Sequence, residues 1–203
     1  MNFSDWALDA KPGDFLVIYN MPFPLASALI SLVSKGQHCD HCAMVLPSLT
    51  SEYVDDLLIG TTDWHNLSGP PPPCVYEAQP PVVRKLSIPD YARQLSTWAN
   101  KKRPWRLRSN RLLYVESYRP TTPLSSQTLV AMAMEADQWL GVRYRMVLNW
   151  LLAGPSIHCS ELAARLLQSA KLAFWPQEPS RVKPVDVRNA LQTSEWFASS
   201  YQV

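Results

Sequence analysis

The chain has 203 residues, which suits one full-sized core and leaves little room for a second domain. Hydrophobic residues make up 47% and charged residues 18%, the profile of an ordinary folded protein. A formal net charge of +2 is too small to announce a nucleic-acid or membrane-surface partner, so neither is expected.

The opening residues Met1, Asn2, Phe3, Ser4, Asp5 and Trp6 carry acid rather than base, and no apolar run follows directly. No secretory leader is expected, and the protein is read as cytoplasmic when synthesised. Lys11-Pro12-Gly13-Asp14 is a turn signal, and residues 15–19 after it read as a first strand. Residues 15–33 are uncharged and long enough to imitate a membrane span, but Pro22 and Pro24 interrupt them. A buried strand followed by a short helix over 24–34, ended at Gly36, fits better, and no stable membrane insertion is expected.

Residues 42–46 form a small apolar strand starting immediately after His41. Residues 47–73 read as a loop-like insertion, acidic at first and ending in a four-proline tract that fits neither a helix nor a central strand. Residues 75–78 are another short strand, and 82–86 continue the extended pattern. A helix is predicted over 90–100, with Pro89 just before it. The basic run Lys101-Lys102-Arg103 with Arg106, Arg108 and Arg111 reads as a solvated face.

Residues 112–118 are the clearest strand of the middle region, terminated by Pro120. Ser125 or Ser126 caps a helix over 125–140, in which Leu129, Met132, Ala133, Ala136 and Leu140 share one face and Gly141 makes the stop. A further apolar segment covers 146–152, an amphipathic helix 159–170, and a last short helix 184–191. Short strands between helices give an α+β fold with a small antiparallel sheet, its strand order left open.

Chemistry is concentrated at a few positions. In Pro155-Ser156-Ile157-His158-Cys159-Ser160-Glu161-Leu162 a loop runs straight into a helix with the cysteine at the junction. Unpaired amides and the positive end of a helix favour a thiolate there, and the same amides suit an oxyanion. The alternative is a buried structural cysteine. A thiolate needs a base, and the four histidines are His38, His41, His65 and His158. His158 is adjacent to Cys159 and should diverge from it, His65 lies in the loop-like insertion, and His41 stands at the threshold of a strand. A catalytic histidine also needs an orienting acceptor. Glu77 is a lone carboxylate within the strand Val75-Tyr76-Glu77-Ala78, although an outward-facing Glu would be unremarkable there.

The order of Gly13-Asp14-Phe15-Leu16-Val17, Asp40-His41-Cys42-Ala43-Met44-Val45, Val75-Tyr76-Glu77-Ala78, Gly141-Val142-Arg143-Tyr144, His158-Cys159-Ser160-Glu161-Leu162 and Lys183-Pro184-Val185-Asp186-Val187 resembles the permuted papain-like amidases of the YiiX type. These are relatives of the NlpC-type cell-wall peptidases, and the resemblance covers roughly residues 12–190. It implies a circularly permuted papain-like fold with Cys159 as nucleophile, His41 as base and Glu77 as orienting residue. It also places Tyr144 near the cleft. Asp40, Ala43, Arg145 and His158 depart from the usual family residues, changes that bear on substrate more than on chemistry. Asp40 and His158 join Tyr144 as candidate substrate-binding residues.

The resemblance further implies hydrolysis of a peptide amide of bacterial peptidoglycan, with no cofactor. An enzyme without a leader would need a non-Sec route to a periplasm, as a delivered toxin or a lytic protein, with an immunity or delivery protein as partner. Other readings stand beside it. His38-Cys39-Asp40-His41-Cys42 looks like half of a zinc site, but a second pair is missing and no metal is expected. Cys159-Ser160-Glu161 resembles half of a deaminase signature without its Pro-Cys-x-x-Cys half. Related permuted folds include acyltransferases and lipid-acting thiol enzymes, and a non-enzymatic binding module is a further alternative.

Overall fold

Four successive residues of the first strand, Phe15, Leu16, Val17 and Ile18, are fully buried. Because strand side chains alternate between faces, such a run means that the sheet is covered on both sides. The computed structural model describes residues 3–19, 39–49, 71–100, 113–145, 156–173 and 175–202. Its strands are β1 (Phe15–Tyr19), β2 (Cys39–Pro47), β3 (Pro73–Gln79), β4 (Val82–Ser87), β5 (Tyr114–Pro120), β6 (Arg143–Tyr144), β7 (Ser156–Ile157) and β8 (Phe197–Gln202). The helices are α1 (Phe3–Asp9), α2 (Ile88–Asn100), α3 (Ser126–Gln138), α4 (Cys159–Ser169) and α5 (Pro184–Thr193).

The strands form one sheet in the order β7-β6-β4-β3-β2-β1-β5-β8. Leu16, Ile18, Ala43, Val45 and Val75 face a layer made by α1 and α2, where Trp6, Tyr91 and Leu95 pack. Phe15, Val17, Cys42, Met44 and Tyr76 face α3, α4 and α5 through Met132, Leu162, Leu166 and Val187. The expected α+β class holds, but the sheet is not small: it has eight strands among the described residues. It is also not wholly antiparallel, since β6 and β7 run parallel. The short strands β6 and β7 and the terminal elements α1 and β8 were not legible, because too few residues carry their periodicity. No described helix is long and apolar enough to cross a membrane.

The Gly13-Asp14 turn has a structural duty. Gly13 has φ 99°, where a side chain is strained, and a Cβ would meet Pro120 at 3.1 Å. Buried Asp14 accepts from the Lys11 amide at 2.9 Å and from Arg119 Nε and Nη2 at 2.9 and 2.8 Å. Arg119 continues to the Asp9 carboxylate at 3.0 Å, tying α1 and β1 to β5.

The insertion expected over 47–73 is narrower at its ends, because Pro47 and Pro73 are paired strand residues. Positions 50–70 lie outside the described residues, as do the helix expected over 24–34, the basic run at 101–111 and the apolar segment 146–152.

Candidate active site

His41 sits just after an irregularity in β2. Pairing with β1 passes from Ile18↔His41 to Tyr19↔Cys39, leaving Asp40 as an extra residue. On the next strand Glu77 pairs with Ala43. His41 Nε2 lies 2.8 Å from Glu77 Oε2, and both side chains are buried. The second carboxylate oxygen, Oε1, accepts from Arg84 Nε at 2.9 Å, Arg84 Nη2 at 2.6 Å and Gln94 Nε2 at 3.1 Å. Arg84 is the cross-strand partner of Glu77 on β4, so the hairpin itself delivers the guanidinium. Arg84 Nη2 also donates to Gln94 Oε1 at 2.6 Å and to Gln79 Oε1.

Burial disfavours the charge of Glu77, but the His41 bond and charge, then Arg84 and Gln94, outweigh it and hold the carboxyl below its usual range. Tyr91, from α2, is buried beside this group. Burial first, and then the Glu77 charge, push its hydroxyl well above the ordinary phenol value.

Cys159 opens α4, preceded by His158 as the helix cap. His158 Nδ1 accepts from the Glu161 amide at 3.1 Å, so the proton of the neutral ring is on Nε2, which donates to the Ser180 carbonyl at 3.0 Å. Ser160 donates to the Val182 carbonyl at 2.7 Å, a second peg between the head of α4 and the segment before α5. Buried Glu161 binds Arg165 at 3.0 Å and Arg145 at 3.4 Å, a structural tie.

The Cys159 sulfur is buried and meets two side chains of β2. A hydrogen bond from Cys42 lowers the thiol pKa most, burial opposes it, and the bond and charge of His41 lower it further, to a value well below that of an ordinary thiol. For His41, burial works against the charged ring, but hydrogen bonds to Cys159 and Glu77, with their negative charges, carry its pKa up to about 10. Both shifts favour the thiolate–imidazolium form of the pair. Tyr144 reaches the same sulfur, and burial followed by the Cys159 charge keeps its hydroxyl protonated as a donor.

Cys159, His41 and Glu77 are thus brought together, and Tyr144 joins them at the sulfur. Both ring nitrogens of His158, expected among the substrate-binding residues, are engaged by backbone groups. The side chains of Asp40 and Cys39, and all of His38, lie outside the described residues. Cys42 meets Cys159, and among the described residues no group of three or more His, Cys, Asp or Glu side chains could hold a metal ion. Arg84 and Gln94 were missed by sequence reasoning, and Cys42 was weighed there only as part of half a zinc site. Arg84 had a usable signal, because a hairpin turning at Pro80-Pro81 pairs position 77 with position 84.

No protein-family model matches the chain, and no curated protein sequence matches it. Among solved structures, five chains match. One is the crystal structure of metalloprotein yiiX from Escherichia coli O157:H7, DUF1105, 14% identical, with a TM-score of 0.53 over 95% of this chain and 97% of that one. At that identity the likeness is one of fold. The chain is an α+β protein with a YiiX-like fold, carrying a buried thiol–imidazole–carboxylate cluster.

Proposed function

We propose that this chain is a cysteine-dependent amide hydrolase on a circularly permuted papain-like, NlpC-type fold, with Cys159 as nucleophile, His41 as acid and base, and Glu77 as the orienting carboxylate. The observation that carries the reading is the convergence of a buried imidazole with a carboxylate at 2.8 Å and with a helix-start thiol whose pKa is lowered. The thiolate attacks the carbonyl carbon, and its oxyanion is held by the Cys159 amide at the head of α4. The His41 imidazolium then gives its proton to the departing amine. The neutral ring next takes a proton from water, whose oxygen displaces sulfur and releases the acid. Glu77 keeps the ring turned so that Nδ1 is left for the sulfur.

The substrate class proposed is a peptide amide of bacterial peptidoglycan, met by a delivered or lytic protein. The yiiX protein is called a metalloprotein, but here no group of three or more His, Cys, Asp or Glu side chains that could hold a metal ion stands among the described residues. The test is digestion of purified peptidoglycan by wild type and by Cys159→Ala, with the fragments weighed. Fragments bearing a new amine and a new carboxylate, absent with Cys159→Ala, are expected. Intact peptidoglycan together with Cys159-dependent hydrolysis of acyl-lipid esters would move the assignment to a lipid-acting thiol enzyme.

A further inference from the structure

Glu77 would be a poor partner for His41 without a second cation. Its side chain is fully buried, and one oxygen is engaged by an imidazole that shares its proton with a neighbouring sulfur. Arg84 supplies that cation from the opposite strand and directs both of its near nitrogens to the same oxygen, Oε1. The guanidinium is held in turn by the carbonyl oxygens of Gln79 and Gln94, while Gln94 also donates to Oε1. Oε2 is the oxygen that meets His41 Nε2.

We infer that Arg84 is a positioning residue for the site: it holds Glu77 as an anion with Oε2 turned to His41, and it balances the charge of the thiolate form. The inference rests on the thiol-hydrolase reading above. Thiolate, imidazolium, carboxylate and guanidinium alternate in sign along Cys159, His41, Glu77 and Arg84 and sum to zero. The titratable groups facing this row are Cys42 from β2, Tyr91 from α2, Tyr144 from β6 and His158 before α4. The His158 ring is spent on the helix cap and on the Ser180 carbonyl. Without Arg84, a largely buried row holds one uncompensated negative charge. It then binds a proton more readily, either on Glu77, which releases His41, or on the sulfur.

The test is the rate of Cys159 alkylation by iodoacetamide against pH, read by peptide mapping, for wild type, Arg84→Gln and Arg84→Lys. Arg84→Gln removes the charge and keeps a hydrogen-bond donor. Its acid midpoint should rise by about one pH unit, a roughly tenfold loss of rate below the midpoint. Arg84→Lys restores the charge, so its midpoint should return to within about 0.3 unit of wild type even if amide hydrolysis stays slower. Where Arg84→Gln does not fold, Arg84→Met, of similar length and without charge, carries the same expectation. An unmoved midpoint in a folded, uncharged variant overturns the inference and leaves the thiol-hydrolase reading standing. Labelling of Cys42 or Cys74 ahead of Cys159 in the wild type overturns both.

Discussion

Asp14 and Glu77 are both buried carboxylates met by an arginine, and they do opposite things. Asp14 spends both oxygens on the fork of Arg119 and one of them also on the Lys11 amide. Every partner is a permanent cation or a backbone group, so the unit is a clasp between α1, β1 and β5. Glu77 meets the same kind of fork, but both nitrogens of Arg84 fall on one oxygen and the other faces an imidazole. Burial and charge are alike in the two places. What differs is whether one oxygen is left for a group that changes its protonation.

The comparison can be broken in graded ways. The largest effect belongs to the group that Glu77 serves and Asp14 does not. Cys159→Ala and His41→Ala should each lose about a thousandfold or more in turnover while keeping the wild-type circular dichroism spectrum. A Cys159→Ala protein still working at the wild-type rate would end the thiol reading.

Glu77→Gln should be milder, about a hundredfold, since an amide oxygen still accepts from His41 although the Arg84 charge is left unpaired. Thermal melts recorded alongside the assay should show lower stability for this variant, whereas Cys159→Ala should melt close to wild type.

Asp14→Asn is the mirror experiment. It should cost about 3 kcal/mol in a urea titration, because Arg119 loses a buried partner, and should leave the pH profile of Cys159 alkylation where it was. A displaced profile would mean that the clasp and the site are one unit after all.

The pH dependence of hydrolysis sharpens the same contrast. The imidazolium that gives its proton to the leaving amine is lost as pH rises through about 10, so activity should fall there. On the acid side it should fall only well below the ordinary thiol range, where Cys159 takes up its proton. A profile rising steadily through pH 10 would contradict the ion pair. The smallest effect is expected at the cap: His158→Ala should cost about 1 kcal/mol of stability, and His158→Asn should recover part of it.

Much of the frame was legible because local chemistry and tertiary need agree. The strand Phe15–Tyr19 and the helix starting at Cys159 appear where periodicity puts them, and Ser125 caps the helix over Ser126–Gln138. Residues 75–78 were read as a short strand, and β3 is longer because Pro73 and Cys74 still pair with β2. The short pairs Arg143–Tyr144 and Ser156–Ile157 were invisible, since two residues hold no period and a parallel contact depends on distant chain. At the site, positions 41, 77 and 159 were candidates by residue type, each with a structural alternative, and the family resemblance joined them into one set. The role of His158 was not legible, because a histidine as helix cap shows itself only once Nδ1 meets the Glu161 amide. Arg84 looked like one more strand charge until the hairpin register set it against Glu77.

The coverage of the sheet on both faces has a consequence for how the molecule breathes. Strands β1, β2 and β3 are hydrogen-bonded on both sides and packed above and below, so their amides should exchange with solvent only through near-global opening. His41 and Glu77 are mounted on that slowest-exchanging part. Tyr144 and the lead-in to Cys159 hang from β6 and β7, which share a two-residue ladder at the sheet margin. Deuterium should enter there first. Whatever adjustment the cluster makes will come from the tyrosine and sulfur side, moving against an imidazole and a carboxylate that stay still.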